Sequence, residues 1–172
     1  MARSVRTLTL ALLFALVAGG AAAAPSAPAF RAPLVDGGTF DSRAFLGKKV
    51  LVVRFQASWC RLCVKQGPDM QKTWEDFHER GVEVIGVQVQ DTIADARRFR
   101  EAHGATYPGV LDPKLAVANR FGFKGTPYTV VIDRKGEMVA RLPGSADAVR
   151  LARVLTPLVD RRAPPRPPAR LQ

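Results

Sequence analysis

The 172-residue sequence has little cysteine or histidine, two of each, and only two tryptophans and two tyrosines. No second cysteine pair or histidine cluster stands near the two cysteines, so a structural zinc site is excluded. The three methionines form no cluster. Carboxylates are also scarce: 15 Asp and Glu against 26 Lys and Arg give a net charge of +11. Internal repeats are missing, and nothing marks a second domain. What remains is 47% hydrophobic, enough for one globular domain with a real core.

Both termini differ from that domain. Residues 1–24 carry Arg3 and Arg6, an apolar run from Leu8 to Val17, then Gly19-Gly20 and four alanines. This is the order of a secretory signal peptide, with cleavage expected between Ala21 and Ser26. The apolar run is shorter than the roughly 20 residues of a spanning helix. Counting the alanines, the stretch also fits an uncleaved anchor. No cysteine follows the run, which excludes a lipid-anchored form. Residues 161–172 hold four arginines and four prolines and read as a disordered, polyproline-like basic tail. The signal contributes two positive charges and the tail four, leaving +5 on residues 25–160. The tail reads first as solvated, and alternatively as a contact for an anionic membrane surface or an acidic partner. Nucleic acid is not an expected partner of an exported chain.

The two cysteines lie in Trp59-Cys60-Arg61-Leu62-Cys63. Before them, Val50 to Phe55 is β-branched and apolar on both faces, as in a central strand of a mostly parallel sheet. After them, a helix is expected from Cys60 to Arg80, kinked at Pro68 and ended by Gly81. Further strands are expected at 82–89 and 128–132, with a returning strand at 137–142. Helices are expected at 93–103 (capped by Asp91), 114–121 and 146–159, the last ended or bent early by Pro157. The order is α/β: a mixed central sheet with helices on both faces and an N-terminal extension.

Two cysteines separated by two residues at a strand-to-helix junction fit thiol–disulfide exchange. The helix N-terminus favours a Cys60 thiolate, and Arg61 and Lys65 add positive charge. Cys63, one turn on and more buried, would resolve the mixed disulfide. Trp59 would wall the site. A static disulfide usually closes a longer loop.

With Pro68 eight residues past Cys60 and Gly125-Thr126-Pro127 before an apolar strand, the chain resembles the thioredoxin fold. The extension, Ala105 to Asp112 and Val131 to Gly136 narrow this to the TlpA/ResA/CcmG-like exported thiol–disulfide oxidoreductases, over about residues 28–159. The resemblance implies a cis Thr126–Pro127 bond facing the cysteines, with the Thr126 backbone free to pair with a partner segment. It implies protein disulfide substrates, commonly apocytochrome c or copper-site cysteines. A membrane protein would donate the electrons in the periplasm, and no cofactor or metal would be needed.

Two positions depart from the family. Gln66 stands where relatives often carry glutamate, three residues after the second cysteine. Arg54 stands where thioredoxin has a buried aspartate. The usual proton acceptor is therefore missing, unless water, Glu75 or Asp91 serves. Arg54 reads either as a structural arginine reaching solvent or as a cation that tunes the thiolates. His78 and His103 read as surface residues remote from the motif. Two other readings differ in what they require of the motif. A Cu(I) chaperone would use the same two thiolates. A peroxidase of this fold would need threonine where Ala57 stands.

Overall fold

The computed structural model describes residues 24–160. The signal-like segment and the basic tail lie outside the described residues.

A five-stranded sheet organises the chain. Its strands are β3 (Val50–Gln56), β4 (Val82–Val89), β5 (Gly109–Asp112), β6 (Tyr128–Ile132) and β7 (Met138–Pro143), in the order β5-β4-β3-β6-β7. β3, β4 and β5 run parallel, whereas β6 and β7 are antiparallel to their neighbours. Every residue of β3 and β4 is buried, as the two-sided apolar runs required. The sheet is thus mixed, as expected.

Side chains alternate between two cores. Leu51, Val53 and Phe55 of β3 point to a layer that holds Phe99 of α3 (Ile93–Ala102) and Val117 of α4 (Ala116–Arg120). Val50 and Val52 point the other way, onto Met70 and Phe77 of α2 (Gly67–Phe77) and Leu151 and Leu155 of α5 (Ala148–Asp160). Helices cover both faces.

The N-terminal extension crosses the first layer. Its short β1 (Arg31–Pro33) and β2 (Thr39–Asp41) pair with each other, and Phe30 and Phe40 enter the core. It ties down both sheet edges. The Met138 N–H donates to Pro25 O at β7, and the Val35 N–H donates to Gly109 O at β5.

The helix after the cysteines is two helices. α1 (Arg61–Lys65) stops at Gln66, and α2 begins at Gly67 with Pro68 in its first turn. The expected kink is a full break, because Pro68 has no N–H to continue the ladder. Three other expectations are corrected. Thr92, not Asp91, caps α3, accepting the Asp95 N–H. α4 starts two residues late because Leu115 adopts a left-handed φ of 58°. Pro157 does not end α5, which runs to Asp160. Pro157 and Arg153 lie on the exposed side, where water can take the carbonyl that proline frees, while Leu151 and Leu155 hold the inner side. Val149 faces outward on this helix.

Candidate active site

The site forms at the C-terminal end of β3. Residues 57–60 leave the sheet there, and Cys60 caps α1 with extended backbone. Cys60 and Cys63 form a disulfide with Cα atoms 5.2 Å apart. The Cys63 N–H donates to Cys60 Sγ at 3.2 Å. Such an amide favours charge on sulfur once the pair is reduced. Cys63 is 1% exposed and Cys60 8%, so the first cysteine is the one a partner can reach.

The rim around Cys60 is apolar and cationic. Trp59 is 58% exposed, and Leu62 and Val64 also face solvent. Arg61 and Lys65 are exposed on α1. Phe55 pairs with Tyr128, which brings the loop before β6 to the same end of the sheet as the cysteines. The Thr126–Pro127 peptide in that loop is cis. Thr126 makes no backbone hydrogen bond to another described residue.

Beneath the motif lies a buried polar network. Arg54 is fully buried and does not reach solvent. Its Nη2 donates to Gln66 Oε1 at 2.9 Å and its Nη1 to Thr129 Oγ1 at 2.9 Å. Its Nε has no partner among the described residues. Gln66 in turn donates to Ser145 Oγ at 2.7 Å and accepts the Ala146 N–H at 3.4 Å. The two positions that lack the family's acid are therefore bonded to each other. Gln66 suits that place, since its carbonyl accepts from the guanidinium while its NH₂ donates elsewhere. Burial lowers the Arg54 pKa to about 10, opposed by the Tyr107 phenol and Asp69. It still carries its charge at neutral pH.

Of the substitute acids, Glu75 is exposed on α2 and bonds Gln71, whereas Asp91 is buried beside the motif. The Ser58 N–H and Oγ–H donate to the two Asp91 oxygens at 2.9 and 2.8 Å. Burial pushes the Asp91 carboxyl up, and the Ser58 hydrogen bonds partly offset this. Asp91 thus fastens the turn two residues before Cys60.

Several residues escaped the sequence reading. Tyr107 is fully buried behind Arg54, and Gln56 lies beside it. Gly86 makes room for both, since a Cβ there would press on the Gln56 amide and the Tyr107 ring. Only the interruption of an apolar β4 by glycine hinted at this. His103 is not remote from the motif. Its ring nitrogens lie 2.9 Å from Val64 O and 2.6 Å from Phe99 O, and the ring sits against Gly67 at the α1–α2 break. Sequence distance hid the contact, because α3 folds back across α1. Among the described residues, no three metal-ligating side chains converge.

The AhpC/TSA family profile matches residues 24–141. The chain belongs to the AhpC/TSA family. It is 30% identical over 105 residues to the thiol-disulfide oxidoreductase ResA of Halalkalibacterium halodurans, covering 61% of this chain and 59% of that protein. It is 28% identical over 120 residues to the ResA of Geobacillus thermodenitrificans, covering 70% and 68%. A solved thiol:disulfide interchange protein of the thioredoxin family from Chlorobium tepidum superposes with a TM-score of 0.72 at 25% identity. That match covers 79% of this chain and 97% of the other. The fold is thioredoxin-like, and the protein is a thiol–disulfide oxidoreductase that carries the CxxC pair Cys60 and Cys63. Among the described residues, no helix is long and apolar enough to cross a membrane.

Proposed function

We propose that this oxidoreductase works outside the cytoplasm as a reductase of protein disulfides, with apocytochrome c or copper-site cysteines as its substrate class. The observation that carries the reading is the difference in access: a rim-facing Cys60 next to a sealed Cys63. In the forward reaction the Cys60 thiolate attacks one sulfur of the partner's disulfide. The other partner sulfur leaves as a thiolate and takes a proton. Cys63 then loses its proton and attacks Cys60 Sγ, and the second partner sulfur departs. Two electrons pass to the partner, and a dithiol of a membrane protein restores the enzyme.

The other residues serve this exchange. Trp59 offers apolar contact area beside the sulfurs. Thr126 offers free backbone groups to an extended partner segment, and Pro127 keeps a backbone N–H away from the cysteines. Arg61 adds positive charge near the thiolate. Arg54 and Gln66 position a buried cation where relatives place an acid. That cation favours thiolate, stabilises the reduced state and makes the protein more oxidising than carboxylate-bearing relatives. Of the two substitute acids, Asp91, buried beside the motif at Ser58, is a better candidate than the exposed Glu75 to take the Cys63 proton.

A Cys63→Ser variant tests the exchange: it should hold its natural partner as a mixed disulfide released by dithiothreitol. If reduced wild type leaves insulin disulfides intact yet binds one Cu(I) tightly, the chaperone reading replaces this one. For the tuning pair, Arg54→Asn should lower the reduction potential measured against glutathione. An unchanged potential would sink the electrostatic role. Gln66→Glu should speed the resolving step if a missing acid limits it.

A further inference from the structure

Two cations flank the cis-proline loop without a carboxylate to answer them. Lys124 lies on the segment entering the loop, and Arg141 lies on the neighbouring β7. Both are exposed. With Thr126, Pro127, Tyr128 and Pro143 they line one depression of about 450 Å³ that opens beside the loop. No aspartate or glutamate lines it.

Several surface cations are matched, while others, Arg61 and Lys65 among them, form no ion pair among the described residues; what sets Lys124 and Arg141 apart is that they share one depression. Arg31, Lys72, Arg80, Arg98 and Arg100 each reach a carboxylate. Neither Lys124 nor Arg141 forms an ion pair among the described residues, and the polar contact Arg141 makes is with the Met138 sulfur at 3.7 Å. Two like charges on one groove repel each other, and an anion seated between them removes that cost.

We propose that this groove selects partners carrying an acidic side chain beside the target cysteine. The inference rests on the reading above, in which an extended partner segment lies along the Thr126 backbone. In an extended segment side chains alternate, at about 3.3 Å per residue. With the partner's cysteine turned to Cys60, its neighbours along the chain fall over the loop and into the depression. A carboxylate there meets Lys124 and Arg141, whereas a lysine there meets two like charges. Discrimination therefore has an attractive and a repulsive part.

The test uses three synthetic peptides, each with the same two-cysteine disulfide loop, flanked by glutamate, glutamine or lysine. Reduced wild type should process the glutamate peptide about tenfold faster in kcat/KM than the lysine peptide at low salt, as two weak charge contacts would give. Half-molar salt should erase most of that ratio. In Lys124→Ala/Arg141→Ala the ratio should fall towards one, and in Lys124→Glu/Arg141→Glu it should invert. Each ratio is internal to one variant, so loss of active protein cannot imitate an inversion. If wild type reduces none of the peptides, the disulfide-exchange reading itself fails. If it reduces all three equally, only the groove inference fails. If the preference survives in the double alanine variant, it comes from Arg61 and Lys65 and the groove inference is overturned.

Discussion

Replacing Arg54 with methionine should change how the protein's stability depends on pH. Arg54 is fully buried, and burial lowers its pKa from the ordinary arginine value to about 10. Below pH 10 both folded and unfolded chains carry the charge, and the fold bears the whole desolvation cost, about 3 kcal/mol. Between pH 10 and the ordinary arginine value the unfolded chain holds more protons than the folded one. Stability contributed by this group therefore rises with pH across that window. Integrated from pH 9 to pH 11, the gain is about 1 kcal/mol. Arg54→Met keeps an unbranched apolar stem and removes the charged guanidinium. The assay is urea unfolding of the oxidised wild type and variant at pH 9 and pH 11. Oxidised cysteines do not titrate, and the lysines common to both proteins cancel in the difference. Wild-type stability minus variant stability should increase by about 1 kcal/mol between the two pH values. A flat or falling difference would refute a buried charge at this position. Arg54→Ala sets the scale at neutral pH. Like methionine it orphans Gln66 and Thr129, and because it also removes the apolar stem it opens a larger cavity and should cost about 3–5 kcal/mol, more than the methionine variant.

Trp59→Ala should leave unfolding free energy within about 0.5 kcal/mol, since the ring is 58% exposed, yet slow protein disulfide reduction about fivefold. Gly67→Ala would ordinarily favour a helix by up to about 1 kcal/mol. Here it should destabilise by about 1–3 kcal/mol, because the new Cβ overlaps the His103 ring and breaks its two carbonyl contacts. His103→Ala added to Gly67→Ala should recover much of that loss in a chemical unfolding series. Asp91 has a folded pKa above its unfolded value, so its burial cost is complete above the folded value and fades as pH falls. Wild type should accordingly gain stability relative to Asp91→Asn on going from pH 7 to pH 4, read as a difference in Tm.

Where a local pattern decided the outcome, the sequence was sufficient. Strands 82–89 and 128–132 match their apolar runs residue for residue, because burial on both faces leaves little freedom in their ends. Cys60 and Cys63 were legible from spacing alone. The fate of Arg54 was not, because a strand pattern says which face a side chain takes and not what waits there. Gln66 comes twelve residues later and Thr129 seventy-five later, and only the folded sheet unites the three. The same holds for Asp91. As a residue ahead of a helix it looked like a cap, but Ser58 competes for its carboxylate and wins with two hydrogen bonds, leaving the cap to Thr92. His103 needed the α3–α1 crossing, which no window of sequence contains.

The strap made by residues 25–35 sets an order of assembly. Its two anchors, Pro25 to Met138 and Val35 to Gly109, join residues more than seventy positions apart. Contacts of such separation close late, because the long loop must be ordered before they repay it. During synthesis the first part of the domain to emerge is thus among the last to lock. Until residue 138 is in place β7 is missing and the Pro25 anchor has no partner, so a chain stalled short of that point presents the unpaired edge of β6 to its neighbours.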